Sequence, residues 1–168
     1  MDYRGYMDEV DEIVAAWRRE RPDVEVTPLE IFSRLSRLAK HLERLRRQAF
    51  ASHDLDLWEW DVLSALRRSG APYELSPSQL VAATMVTSGT MTNRVDRLVA
   101  RGLVARRPAP SDRRGILVRL TDDGRARVDG ALDTLLELER HALSSLSPTE
   151  RDHVADTMRT LTAQINAL

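Results

Sequence analysis

Apolar residues recur along most of this chain at helical spacing, interrupted by three near-identical capping signals and one stretch of strand-like alternation. Over residues 4–20, Met7, Val10, Val14 and Trp17 fall at i, i+3, i+7 and i+10, which predicts one amphipathic helix with acids on its other face. Thr27–Pro28–Leu29–Glu30 has the form of a capping box with proline at the first helical position. It predicts a long helix to about Phe50, with Ile31, Leu35, Leu38, Leu42 and Leu45 inside. Asp56–Leu57–Trp58–Glu59 predicts the next helix start, with Trp58, Val62, Leu63 and Leu66 as core and Gly70 as its stop. After residue 121, Val128, Leu132, Leu135, Leu136 and Leu143 mark another helix, opened by Thr121 with Asp122 and Asp123. Ser147–Pro148–Thr149–Glu150 then caps a last one carrying Val154, Met158, Leu161 and Ile165.

The stretch from Leu75 to Thr121 differs from these flanks. Ser76–Pro77–Ser78–Gln79 caps a short helix, and a second begins near Thr87 or Ser88 and stops at Gly102. The second has Met91, Val95, Leu98 and Val99 on one side and Thr87, Ser88, Thr90, Thr92 and Asn93 on the other. Ile116, Val118 and Leu120 alternate with Leu117 and Arg119, the period of a half-buried strand, while Pro108, Pro110 and Gly115 punctuate a loop before it. The expected fold class is therefore mainly α with a small β-hairpin wing, a winged helix-turn-helix with N- and C-terminal dimerisation helices. The expected organisation is one domain over 1–168, with dimerisation helices at 1–50 and 122–168 and a winged-helix lobe at 55–121.

Charge sharpens this picture. The whole chain carries a formal net charge of −1. Residues 94–127 hold ten arginines against four acids, residues 1–30 four basic against nine acidic, and residues 128–168 three against seven. Positive charge is concentrated where phosphate contacts would need it, so the expected partner is double-stranded DNA. The short polar groups at Thr87, Ser88, Gly89, Thr90, Thr92 and Asn93 let a helix approach base edges, and Arg97 extends that face. Arg113 and Arg114 suit a wing that enters a minor groove or grips phosphates, and Asp112 can pair with an arginine to stabilise the wing. A merely solvated helix face and an arginine-rich surface turn fit the same residues. The end helices carry more leucine than a small reading unit covers, which predicts a homodimer with its recognition helices roughly 34–36 Å apart.

Other classes find little support. Cysteine is absent, which removes disulfides and thiolate metal sites. There is no run of eighteen apolar residues and no secretory signal, so no membrane association and a cytoplasmic location are expected. No nucleophile-elbow, zincin, P-loop or dinucleotide motif occurs, and the histidines at 41, 53, 141 and 153 lack a metal-ligand spacing, so neither an enzyme, a cofactor nor a metal is expected.

The succession LSPSQL, TSGTMTNRVDRLVARGLVARR and SDRRGILVRLTDDG closely resembles the MarR family of dimeric winged-helix regulators. Its wing pattern is met by Asp112, Arg114, Gly115, Val118, Leu120 and Thr121, and the helix order agrees over nearly the whole chain. A finer resemblance, to the urate-responsive group of that family, rests on the extra N-terminal helix. It implies a ligand site of Trp17, Asp61, Arg94 and Arg106 between the dimerisation region and the DNA lobe. Two arginines suit a planar anion or carboxylate, and a tryptophan offers a flat wall. Urate, xanthine and tricarboxylates are all compatible. The residues alone leave other roles open: core for Trp17, a helix dipole for Asp61, a phosphate for Arg94, a strand surface for Arg106. The function implied is a repressor that binds a pseudo-palindromic operator and is released by a small anionic metabolite. The alternative is a winged-helix module for DNA or protein without an effector.

Overall fold

The computed structural model describes residues 7–109 and 112–168, with 112–114 described in backbone only. The chain runs α1 (Glu9–Glu20), α2 (Pro28–Ala51), α3 (Leu57–Arg68), β1 (Glu74–Leu75), α4 (Pro77–Thr84), α5 (Ser88–Ala100), β2 (Val104–Ala109), β3 (Asp112–Leu120), α6 (Asp122–Ala142) and α7 (Pro148–Asn166). It divides into two compact units, residues 1–41 with 137–168, and residues 42–136. No helix among the described residues is long and apolar enough to cross a membrane.

In the first unit, α1 begins at Glu9 because Asp8 caps it. The Asp8 carboxylate accepts from the Val10 and Asp11 amides, and the Asp11 carboxylate accepts from the Asp8 amide at 2.9 Å. Of the expected span 4–20, residues 4–6 lie outside the described residues, and Met7 precedes the helix. Val10 and Val14 are buried with Val26, whereas Trp17 is 49% exposed. Salt links then fasten α1 to α2: Arg34 donates to Asp8 at 2.8 and 3.0 Å and to Asp11 at 2.8 Å, and Arg37 reaches Glu9 at 3.0 Å. The box expected at Thr27 does not close. The Thr27 amide donates to Glu25 instead, and Glu30 is turned to Arg18 at 2.6 Å. On α2 and α7, Ile31, Phe32, Leu38, Val154, Met158 and Ile165 stay exposed. A groove of about 760 Å³ runs along part of this surface, between Ile31, Leu35, Leu38 and Met158.

The second unit holds a larger core, in which Phe50, Val62, Leu63, Leu66, Leu80, Met91, Leu98, Leu103 and Val118 are fully buried. Each such side chain contributes about 1.5–3 kcal/mol relative to exposure. The caps at Ser76 and Thr87 and the stop at Gly102 (φ 71°) form as the pattern predicts. β3 pairs antiparallel with β2 on one side and with the two-residue β1 on the other, in the order β1–β3–β2. The sequence pattern does not reveal β1, because two residues carry no period. The strands also reach further than expected: Pro108, Ala109 and Gly115 lie inside them, and a register shift between Pro108 and Ala109 absorbs the irregularity. Val118 and Leu120 are buried, but Ile116, nearer the tip, is 48% exposed. On α6 Gly124, Val128, Ala131 and Leu135 are buried; Leu132, Leu136 and Leu143 of the expected stripe are each about 40% exposed.

Gly124 lets α6 approach the sheet. A Cβ there would lie 2.1 Å from the Leu103 carbonyl oxygen. The Thr121 hydroxyl completes the junction, accepting from the Gly124 amide at 3.0 Å and donating to the Leu103 carbonyl at 2.9 Å.

Candidate nucleic-acid interface

The sequence around α5 sets its two faces. Met91, Val95 and Leu98 are buried at helical spacing, so Ser88, Gly89, Thr92, Asn93 and Arg97 are left exposed on the other side. α4 ends at Met85, whose left-handed backbone (φ 52°) turns the chain and leaves its side chain 94% exposed. Two residues later Thr87 caps α5: its hydroxyl accepts from the Thr90 amide at 3.3 Å and lies 2.9 Å from the Thr90 hydroxyl. The Thr92 hydroxyl donates to the Ser88 carbonyl at 3.1 Å. Three of the expected base-reading hydroxyls therefore already have local partners: Thr92 has spent its donor and keeps acceptor capacity, while the Thr87–Thr90 pair uses one of its two hydroxyl hydrogens and keeps the other to donate.

Trp58 is displaced from its expected place in the core. It is half-buried and lines a cavity of about 490 Å³ with Gly89, Thr90, Asn93, Arg94 and Arg97. The Arg97 guanidinium carbon lies 4.5 Å from the indole centroid and that of Arg94 5.7 Å, both within cation–π range. Among the described residues no acid pairs with either arginine. A signal for this lay in the sequence. Trp58 and Trp60 are two residues apart, about 200° around a helix, so they cannot share one core face. Trp60 takes the inward place, stacked on Phe50 with centroids 4.6 Å apart.

The other expected effector residues have separate surroundings. Asp61 lines a cavity of about 240 Å³ with Arg46, Trp60, Ser64, Arg68 and Thr84. The Arg46 guanidinium lies over the Phe50 and Trp60 rings, and its Nε, like the Trp60 indole nitrogen, is buried without a hydrogen-bond partner among the described residues. Arg106 on β2 is exposed and paired with Asp96 on α5. Trp17 belongs to the other unit. Asp112, Arg113 and Arg114 stand on the backbone of β3, and their side chains lie outside the described residues.

An ion network that the motifs did not reveal supports the far end of α5. Glu59 is only 1% exposed; its Oε2 accepts from the Asp56 amide at 2.9 Å and from Arg101 at 2.5 Å. Arg101 also donates to the Asp54 carboxylate at 2.6 Å, which accepts in turn from Arg127 at 2.6 Å. Arg127 and then Arg101 hold the Asp54 carboxyl below the ordinary carboxylate range. The bond to Glu59 raises the Arg101 pKa above its ordinary value. Glu59 carries a helix-start signal in the sequence, and nothing in that signal tells that its carboxylate is buried.

A helix-turn-helix with a β-wing, a basic exposed face and buried support behind it fits DNA reading. A model described as the MarR family matches residues 53–115. The transcriptional regulator PecS of Dickeya dadantii is 41% identical over 146 residues, covering 87% of this chain and 88% of PecS. The chain belongs to the MarR family. The transcriptional repressor NicR of Pseudomonas putida is 31% identical over 130 residues, covering 74% of this chain and 80% of NicR. The solved structure of Bordetella bronchiseptica BpsR, concerned with regulation of its DNA binding by 6-hydroxynicotinic acid, superposes with a TM-score of 0.64 at 30% identity. It covers 79% of this chain and 92% of BpsR. This MarR-family chain is thus a DNA-binding transcriptional regulator, and its relatives are regulators rather than enzymes.

Proposed function

We propose that the chain is a ligand-released repressor acting as a homodimer on a pseudo-palindromic operator. The observation that carries the DNA part is the exposed face of α5, where Ser88, Asn93, Arg94 and Arg97 stand free of acidic partners among the described residues. Thr87, Ser88, Gly89, Thr90, Thr92, Asn93 and Arg97 are the proposed base and phosphate contacts, Arg113 and Arg114 the wing contacts, and Asp112 their stabiliser. The exposed apolar residues of α2 and α7 support a second copy as partner. The effector is a small anion such as urate, xanthine or a tricarboxylate, taken by Trp17, Asp61, Arg94 and Arg106. An effector on Arg94 would act directly on the reading helix, and it releases DNA only as far as it prefers the DNA-incompetent arrangement.

One observation favours a second reading, a winged-helix module without an effector. Arg106 is committed to Asp96, while Asp61 lines a cavity with Arg46 and Arg68 instead of with Arg94. Mobility-shift titration decides between them. The wild-type chain is expected to release its selected duplex on addition of one of these anions, whereas Trp17→Ala keeps DNA affinity and loses the release, and Arg94→Ala binds the duplex more weakly and no longer releases it in response to the anion. Undiminished release in both variants, or no release of the wild type by any of the three anion classes, would overturn the effector site.

A further inference from the structure

Two guanidinium groups placed against one indole repel each other unless something offsets their charge. Arg94 and Arg97 are three residues apart on α5, the spacing of neighbours on a helix face. Both lie within cation–π distance of Trp58, which belongs to a different helix. The Trp58 indole N–H donates to the Asp56 carboxylate at 3.2 Å, so the ring is held at its edge while its face carries the arginines. A ring quadrupole offsets part of the charge, and its flat surface restricts the rotamers of two long side chains. The cavity beside them is lined by the Thr90 and Asn93 side chains, which bring hydrogen-bonding groups, and by Gly89, at which a Cβ would meet nothing within 4 Å. Space, open backbone, two fixed cations and no acid among the lining residues describe an anion cradle on the reading face.

We infer that Trp58, Arg94 and Arg97 form a subsite for one DNA backbone phosphate, with Trp58 as the positioning residue that holds both arginines in register with it. This inference rests on the DNA reading proposed above. The two guanidiniums approach one phosphate from adjacent positions, and the indole forms the wall behind them. Trp58 carries no charge and touches the phosphate only through the arginines, so its contribution is pose and not attraction. It also gives Arg94 a duty in DNA binding, so an anion that took Arg94 would compete with the phosphate for it.

The salt dependence of binding separates pose from bulk structure. The probe is the duplex that the wild-type chain enriches from a randomised pool, titrated at several chloride concentrations. Trp58→Ala is expected to weaken binding about tenfold and to reduce the slope of log affinity against log salt by about one unit, as loss of one phosphate contact does. Trp58→Phe keeps a ring face and is expected to stay within about threefold of wild type with its slope retained. In an Arg94→Ala/Arg97→Ala background, Trp58→Ala is expected to add nothing. Inorganic phosphate at matched ionic strength is expected to weaken binding no more than chloride does. A Trp58→Ala loss with unchanged slope, or one that persists without the arginines, marks a merely structural role and overturns the inference alone. Selective displacement by inorganic phosphate would assign the cradle to a free anion and overturn it too. A wild-type chain that enriches no sequence overturns the DNA reading and takes this inference with it.

Discussion

Arg101, at the C-terminal end of the recognition helix, donates to the buried carboxylate of Glu59 at 2.5 Å and thereby ties α5 to the first turn of α3. The pair is asymmetric: the Glu59 side chain is 2% exposed and that of Arg101 32%. Removing the arginine leaves a buried carboxylate without its counter-charge, which is far more costly than losing a surface pair. Arg101→Ala is expected to lower stability by about 2–4 kcal/mol, less than a fully buried pair because the arginine is partly solvated. Urea unfolding checks this, and a combined Glu59→Gln/Arg101→Met variant is expected to recover part of the loss.

Asp54 makes the same network sensitive to acid. Its carboxyl titrates below the ordinary value of 3.8 because Arg127 and Arg101 favour the charged form. A depressed folded-state pKa contributes stability that is present above the unfolded value and is lost as pH falls through the folded value. Asp54→Asn is therefore expected to melt at a lower temperature than wild type at neutral pH, with the gap closing progressively below pH 3.8. Melting curves for both chains across that range test it, and a gap independent of pH would contradict it.

Gly124 is fixed by space alone. The added methyl group of Gly124→Ala would sit 2.1 Å from the Leu103 carbonyl, a backbone atom that cannot rotate away. The first turn of α6 must shift, disturbing the hydrogen bonds of Thr121 to both residues. A loss of about 1–3 kcal/mol, typical of overpacking, is expected in chemical denaturation. Gly89→Ala, where the added atom meets nothing, is expected to cost nothing by the same measurement.

The apolar groove of the first unit bears on assembly. Leu38 is 50% exposed and Met158 38%, and both line it. If a second copy covers this surface, Leu38→Asp and Met158→Asp place charges in the interface. Sedimentation velocity is expected to show the wild-type chain as a dimer and both variants shifted to monomer. Variants that sediment as the wild type does would exclude this surface as the interface.

The sequence discloses most of the elements because the signals for them are local. Ser76, Thr87 and Ser147 announce helix starts whose caps all form, and Gly102 announces a stop. Where one local signal competes with other partners, near or far in the chain, the better-placed partner prevails. Thr27 and Glu30 have the letters of a box, yet Glu25 takes the amide and Arg18 the carboxylate. The site was less legible. The type and exposure of Ser88, Asn93 and Arg97 follow from periodicity on one helix, but the Trp58 stack joins two helices and has no sequence period. Asp61 lines its cavity with Arg46, which lies on α2, and no local pattern joins residues of two separate helices.

Asp96 pairs with Arg106 from the same helix that carries Arg94 and Arg97, so a lone carboxylate stands within the basic face. That pair joins the wing strand to the reading helix mechanically, and it also subtracts charge where duplexes of any sequence would be attracted. The face is thus detuned for indiscriminate adhesion, leaving discrimination to depend on shape and hydrogen bonds. Asp96→Asn is expected to tighten binding to unrelated duplexes more than to the selected one, which competition titration would measure as a narrower ratio between the two.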